Sequence, residues 1–317
     1  MKIISEYDVP QDAWYFQENS HPKWMPYSVL MEIALQPCGF ISAYSGAMLL
    51  YPELDLHYRN LDGKGRFLCH PHLQGKTISA VIELLSTVAS GDTIIQTHRF
   101  LLSYEGIEFY KGDTVFGYFT DEALANQTGL DGGKSVPPRF KLRTEKKFRK
   151  YVLGQRDGLV TPGSSERPHW KIPGGKFSLL DYVYVAADGS DEGYGYVYGI
   201  RQVKPEDWFF PCHFHQDPVM PGSLGVEAIL QAMQVYAIDQ KLGEEYSNPR
   251  FSPVLSQVQW KYRGQVIPET KEMQLEVWIR AIRRESEQLV IIADASLWRD
   301  ELRIYEISSI ALAVNEA

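Results

Sequence analysis

Residues 207–236 read DWFFPCHFHQDPVMPGSLGVEAILQAMQVY, and residues 13–40 read AWYFQENSHPKWMPYSVLMEIALQPCGF. Laid side by side, Trp14 pairs with Trp208 and Phe16 with Phe210 at an offset of 194. After a one-residue slip, Met25, Pro26, Ser28, Glu32, Leu35 and Gln36 pair with Met220, Pro221, Ser223, Glu227, Leu230 and Gln231 at an offset of 195. The same offset returns near the far ends, where Tyr110 in YEGIEFYKGDTVFGYF meets Tyr305 in DELRIYEISSIALAV. Chance does not hold one register over so long a span, so the chain is read as a duplicated domain.

Each copy carries the same order of elements. An aromatic strand leads through a Met-Pro turn into a helix, and long strands follow. In the second copy Ser223 is expected as the N-cap, with the helix running to about Lys241 before Gly243 stops it. Leu224, Val226, Ile229, Leu230, Met233, Val235, Tyr236 and Ile238 cover nearly every side of this helix. A helix apolar all round is a buried one. The segments VLSQVQWKYRGQVIP, KEMQLEVWIRAI, QLVIIADASLW and RIYEISSIALAV are rich in β-branched and aromatic residues and read as antiparallel strands. A buried helix wrapped by one antiparallel sheet is the α+β hotdog arrangement, here in tandem as a double hotdog. The expected layout is an N-terminal hotdog over 1–119, a linker over 120–167 and a C-terminal hotdog over 168–317. The linker assignment rests on Gly132-Gly133, Pro137-Pro138, a basic run and TPGSSERP. The second copy has an extra segment before its Trp, KIPGGKFSLLDYVYVAADGSDEGYGYVYGIRQVKPED, where the first has about a dozen residues. The N-terminal copy is therefore naturally shorter, or the chain belongs to a longer protein.

A net charge of −8 over 317 residues argues against nucleic acid as partner. No apolar run reaches the roughly 18 residues of a membrane span, and MKIISEYDVPQDAW lacks the features of a signal peptide. Cys38, Cys69 and Cys212 suggest no disulfide framework, so a reducing cytoplasm is the expected setting. Against the acidic background stand two basic clusters, Lys141–Lys150 and Arg280, Arg283 and Arg284, which read either as solvated surface or as attraction for an acidic partner.

Glu227, Gln231 and Gln234 make a polar stripe on the second buried helix, and Glu32 with Gln36 the matching pair on the first. A satisfied hydrogen-bond ladder is one reading of the stripe; a carboxyl kept protonated by burial, as a general acid, is the other. His213 and His215 alternate on an expected strand and so share a face. The turn Met220-Pro221-Gly222 precedes the helix, where Gly222 lets a ligand approach the backbone and the first amides receive a developing oxyanion. A base, amide donors and an acid are the parts that β-elimination from a 3-hydroxyacyl thioester requires. The sequences Cys69-His70-Pro71-His72 and Cys212-His213-Phe214-His215 could supply zinc ligands, but they occupy different places in the repeat, where Asn19 answers to His213. No metal site is expected.

CHFHQDPVMPGSLGVEAILQ resembles the active-site segment of the bacterial 3-hydroxydecanoyl-ACP dehydratase/isomerase family, the FabA-like dehydratases. The resemblance runs from about Pro173 to Val314, through GYGYVYGIRQVKPEDWFF and YRGQVIPETKEMQLEVWIRAIRRE. The whole chain is similar to the tandem dehydratase regions of polyunsaturated fatty acid synthases and related polyketide-type synthases. The resemblance implies an active site between hotdogs, with the histidine of one and the acid of the other. Carried over by position, His213 works with Glu32, while Gly222 and Ser223 form the oxyanion-binding helix start. Gln36, Glu227, Gln231 and His215 stand behind them. The counterpart site, with Glu227, Asn19 and Tyr27, is expected to be inactive, because Asn is no base and Tyr crowds the backbone donor. The acid is Glu where the isomerising relative has Asp, which weakens the case for isomerase activity but leaves a double-bond shift to the cis-3 isomer as an open alternative, and Ser223 stands where that relative has Cys. The resemblance implies no cofactor beyond the phosphopantetheine that carries the substrate. It implies an acyl carrier protein as partner, docked at Arg280, Arg283 and Arg284, with neighbouring synthase domains. The two copies form an internal pseudo-dimer, and homodimerisation of the whole chain is compatible with it. A hotdog thioesterase and a non-catalytic acyl-chain-binding domain are the alternatives.

Overall fold

The computed structural model describes residues 1–142, 147–154 and 170–316. The strands are β1 (Lys2–Asp8), β2 (His57–Phe67), β3 (Thr77–Ser90), β4 (Thr93–Tyr104), β5 (Ile107–Phe119), β6 (Arg149–Val152), β7 (Tyr182–Ala186), β8 (Tyr196–Gln202), β9 (Pro249–Ser252), β10 (Gln257–Tyr262), β11 (Glu272–Arg284), β12 (Gln288–Arg299) and β13 (Leu302–Glu316). The helices are α1 (Trp14–Glu18), α2 (Tyr27–Tyr44), α3 (Asp121–Ala125), α4 (Arg139–Leu142) and α5 (Gly222–Asp239).

The duplication is visible in the element bounds. Adding 195 to α2 turns Tyr27–Tyr44 into Gly222–Asp239, the bounds of α5, and β4 becomes β12 by the same shift. Strand β1 becomes β8 at the offset of 194 that holds before the one-residue slip. The strands form one antiparallel sheet in the order β1-β3-β4-β5-β2-β10-β13-β12-β11-β8-β7-β6, with β9 beside β13. Its first five strands repeat as a mirrored series outward from the β2–β10 junction. Each half packs on its own helix, α2 against β1, β3 and β4 and α5 against β7, β8 and β11 to β13, and the two helices pack on each other. This is a double hotdog.

At the junction, β10 runs antiparallel to β2 from Gln257↔Arg66 to Lys261↔Asp62. Trp260 lies across Gly63, where a Cβ would sit 2.1 Å from the indole, and its Nε1 donates to Asn60 at 2.7 Å. A side chain at position 63 would expel the indole that seals the two halves. Helix α5 is covered on all sides, its polar stripe included, and Val226, Ile229, Met233 and Val235 have no solvent exposure. Each such side chain contributes about 1.5–3 kcal/mol by leaving water.

Several expectations need correction. The stretch around Trp14 is the short helix α1, and residues 208–218 form successive turns, so His213 and His215 do not alternate on a strand. Pro211, Pro218 and Pro221 each lack the N–H that a strand ladder needs. Ser223 is not the N-cap: α5 begins at Gly222, Pro221 occupies the cap position, and the Ser223 hydroxyl turns elsewhere. The segment expected as a linker supplies β6, which pairs with β7, and it packs on the C-terminal half through Arg303–Asp131 and the bond from the Phe140 amide to Glu276. TPGSSERP lies outside the described residues. Of the extra segment, β8 has its counterpart in β1, so the true surplus is β7 and the residues before it.

Candidate active site

A cavity of about 830 Å³, its open mouth included, lies between the halves. Its wall joins Glu32, Leu35, Gln36 and Gly39 of α2 to Gly222 and Ser223 of α5, with His213 and Met220 on the connecting loop. Tyr58, Arg59 and Phe116 from the first half face Tyr262 and Tyr305 from the second.

The loop closes on itself around His213. The Val219 amide donates to the His213 carbonyl at 2.7 Å, and the His213 Nδ1 lies 2.9 Å from the Val219 carbonyl. A ring nitrogen facing a carbonyl must carry the proton, so in the neutral imidazole the lone pair is on Nε2. The Ser223 hydroxyl donates to Glu32 Oε1 at 2.6 Å and so joins the start of α5 to the acid on α2. The first amides of α5 have no acceptor within their own helix, as at any helix start. Gly222 is needed for a reason other than ligand approach alone, since a Cβ there would come within 2.7 Å of the Tyr262 ring.

The pseudo-symmetric place holds a second cavity of about 610 Å³, lined by Asn19, His21, Tyr27, Glu227 and Gln234 among others. Here Asn19 Nδ2 donates to the Trp24 carbonyl at 3.0 Å. Trp24 is the counterpart of Val219, so Asn19 makes the bond that His213 makes. The acid differs more. Glu227 Oε2 accepts the Ser28 amide at 3.0 Å. Glu227 is buried, and desolvation raises its pKa despite that bond. The Tyr27 hydroxyl meets that of Tyr110 at 3.0 Å. In this cavity the acid itself takes an amide of the helix start.

The other sequence-selected residues divide. Gln36 lines the His213 cavity. Gln231 lines neither cavity and holds the surplus segment through the Leu179 amide and the carbonyls of Pro173 and Phe177. His215 is exposed, in a depression beside Asp55 and His57. Arg280 pairs with Glu192 at 2.5 Å and Arg284 with Glu245, so two of the three arginines already have acidic partners, while Arg283 is exposed. In the other basic cluster Arg149 pairs with Asp239 at 2.5 Å and Lys150 lies over Tyr182; Arg143 and Lys146 fall outside the described residues. Among the described residues no group of three or more His, Cys, Asp or Glu could hold a metal. The sequence reading missed Arg59 and Asp217, whose guanidinium and carboxylate meet twice at 2.6 Å beside the cavity. It also missed the tyrosine walls, which strands far apart in sequence bring together.

The family model described as the FabA-like domain matches residues 172–308. A polyunsaturated fatty acid synthase polypeptide of Thraustochytrium sp. is 35% identical over 98% of this chain. The chain spans 21% of that relative's length. Among solved structures, a putative oleoyl thioesterase from Lactobacillus plantarum superposes over 100% of this chain and 96% of its own, with a TM-score of 0.54 at 8% identity. The dehydratase domain from the CurJ module of the curacin polyketide synthase covers 99% of this chain and 92% of its own, with a TM-score of 0.51 at 10% identity. Those two likenesses concern the fold, a double hotdog in all three chains.

Proposed function

We propose that this chain dehydrates a 3-hydroxyacyl thioester to the trans-2-enoyl thioester, a reading supported by the match of residues 172–308 to the FabA-like domain. The observation that carries the reading is the convergence, on one cavity, of an Nδ1-anchored histidine and a carboxyl from the other half. His213 Nε2 removes the Cα proton, and charge grows on the thioester oxygen. The amides of Gly222 and Ser223, at the positive end of α5, receive that charge. The bond to the 3-hydroxyl breaks as Glu32, in its protonated form, gives that oxygen a proton, and water leaves. The proton held on His213 then returns to Glu32 through the departing water, which resets both groups. Ser223 keeps the Glu32 carboxyl turned toward the helix start.

The scheme needs no group beyond these side chains and the pantetheine arm. Leu35, Gly39, Tyr58 and Phe116 offer an apolar wall for the acyl chain. The substrate is presented by an acyl carrier protein within a multienzyme synthase, a reading supported by the long relative that this chain matches over a fifth of its length. Arg283 is the member of its cluster that can meet the carrier without giving up an ion pair shown here. The 1–119 and 168–317 hotdogs act as one catalytic unit. A methylene longer than Asp, Glu32 is suited to the elimination and not to a following double-bond shift.

The reading is tested by incubating the chain with 3-hydroxyacyl-pantetheine thioesters of several lengths and analysing products by mass and double-bond position. A trans-2-enoyl thioester is expected. Free acid would replace the reading with a thioesterase, and binding without conversion would replace it with an acyl-chain carrier.

A further inference from the structure

Arg59 lies in β2 of the N-terminal half and is 9% exposed. Its Nη1 and Nη2 each donate at 2.6 Å to separate oxygens of Asp217, in the loop that bears His213. His57 Nδ1 stands 3.0 Å from the same carboxylate. Two-point contact between a planar guanidinium and a carboxylate fixes angle as well as distance. Burial acts to raise the Asp217 carboxyl, yet the bonds and charge of Arg59 and His57 bring it below the usual range, so the pair is held ionised.

Asp217 is well placed to transmit that constraint. Its carbonyl accepts the Phe214 amide at 2.9 Å, and two residues later the Val219 carbonyl anchors the His213 ring. The duplicated architecture provides an internal comparison. By the 195 offset Arg59 falls on Val254, and the β9–β13 ladder, which answers to β2–β5, puts Ser252 near that place; Asp217 falls on Lys23 or Pro22 depending on which side of the one-residue slip it is placed. Neither position supplies a guanidinium–carboxylate pair. The loop from Asn19 to Trp24 nevertheless closes, with the Asn19–Trp24 bond in place of His213–Val219. Loop closure therefore does not require the clamp. The clamp accompanies the histidine.

We propose that Arg59 and Asp217 are positioning residues: the N-terminal half, which has Asn19 at the place of His213, sets the placement of His213 in the other half through this ion pair. The inference rests on the dehydratase reading. It gives the first copy a second contribution to the site, since it then supplies the acid and aligns the base.

The experiment compares the full chain with its Arg59→Met, Arg59→Lys and Asp217→Asn variants, by turnover of a 3-hydroxyacyl-pantetheine and by hydrogen exchange across residues 211–220. A displaced base lowers kcat about 100-fold in Arg59→Met with KM within about twofold, and Arg59→Lys recovers part of the loss. Exchange at the Val219 amide accelerates in Arg59→Met and Asp217→Asn while the β3–β5 core keeps its protection. Unchanged kcat in both variants overturns the proposal. So does a raised KM at constant kcat, which would make Arg59 a substrate contact, through its buried Nε that has no acceptor among the described residues. If the unaltered chain makes no enoyl product, it is the dehydratase reading that fails. Exchange then decides the clamp alone, and unaltered exchange at Val219 ends it.

Discussion

Ser223 and Glu32 are 191 positions apart, and the hydroxyl of the first donates to the carboxyl of the second at 2.6 Å. At the equivalent place in the other half, Ser28 approaches Glu227 through its backbone amide at 3.0 Å. The same pair of residue types thus gives two different arrangements. In one the serine side chain holds the acid. In the other the acid accepts the serine's backbone amide.

Replacing His213 by Ala is expected to abolish enoyl formation, because among the described residues no other histidine lines the cavity. Adding Asn19→His to that variant is expected to restore nothing, since Glu227 still occupies the amide of Ser28. Recovery of turnover in the double variant would show the second cavity to be limited by its missing histidine alone.

Ser223→Ala removes a hydrogen bond to an ionisable group, an interaction of about 1.5–3 kcal/mol. The expected loss in kcat is roughly 10- to 100-fold, with a fall of several degrees in melting temperature, because the lost bond joins the two halves. Steady-state kinetics beside a thermal melt checks both halves of this expectation.

Gly222→Ala brings a methyl within 2.7 Å of the buried Tyr262 ring, itself packed against Tyr305. Overpacking of this kind costs about 1–3 kcal/mol. A lower denaturation midpoint and reduced turnover are expected together, whereas the isolated loss of one without the other would place the ring elsewhere.

Stability should depend on pH through groups of opposite sign. Burial lowers the pKa of His98 from 6.5 to about 4, and those of His21 and His70 likewise. The unfolded chain therefore binds the extra protons first, and stability falls as pH drops from 6.5 toward 4. His98→Asn should flatten part of that fall. Burial raises the pKa of Glu227, so the folded chain prefers its protonated form, and stability falls as pH rises through the raised value. Glu227→Gln should remove that second slope and melt no lower than the parent at neutral pH. Melting temperatures from pH 4 to 8 would reveal either sign being reversed.

Much of this was legible in the sequence because duplication exposes constraints that one copy hides. The 195-residue offset located α2 and α5 together, and the asymmetry of His213 and Asn19 distinguished the two cavities. What was not legible depended on direction and distance. Serine before an apolar helix is ordinarily an N-cap, and nothing local says that Ser223 points across to Glu32. Arg59 reads as a polar residue on a strand, and Asp217 as a turn residue; their pairing exists only because β2 is brought beside the loop. Gln231 shares a helical stripe with Glu227, yet the surplus segment covers it and takes its hydrogen bonds. The family resemblance suggested a docking role for Arg280 and Arg284, but Glu192 and Glu245 are neighbours only in the fold.

The central claim is one site assembled from both halves, and it is tested most directly by measuring enoyl-thioester formation in Glu32→Gln and Glu227→Gln side by side. Glu32→Gln is expected to lose at least about 100-fold in kcat, in keeping with the loss of a general acid, while Glu227→Gln keeps the parent rate. Loss of activity in Glu227→Gln with Glu32→Gln unaffected would contradict the account, because the acid would then lie on the same half as His213.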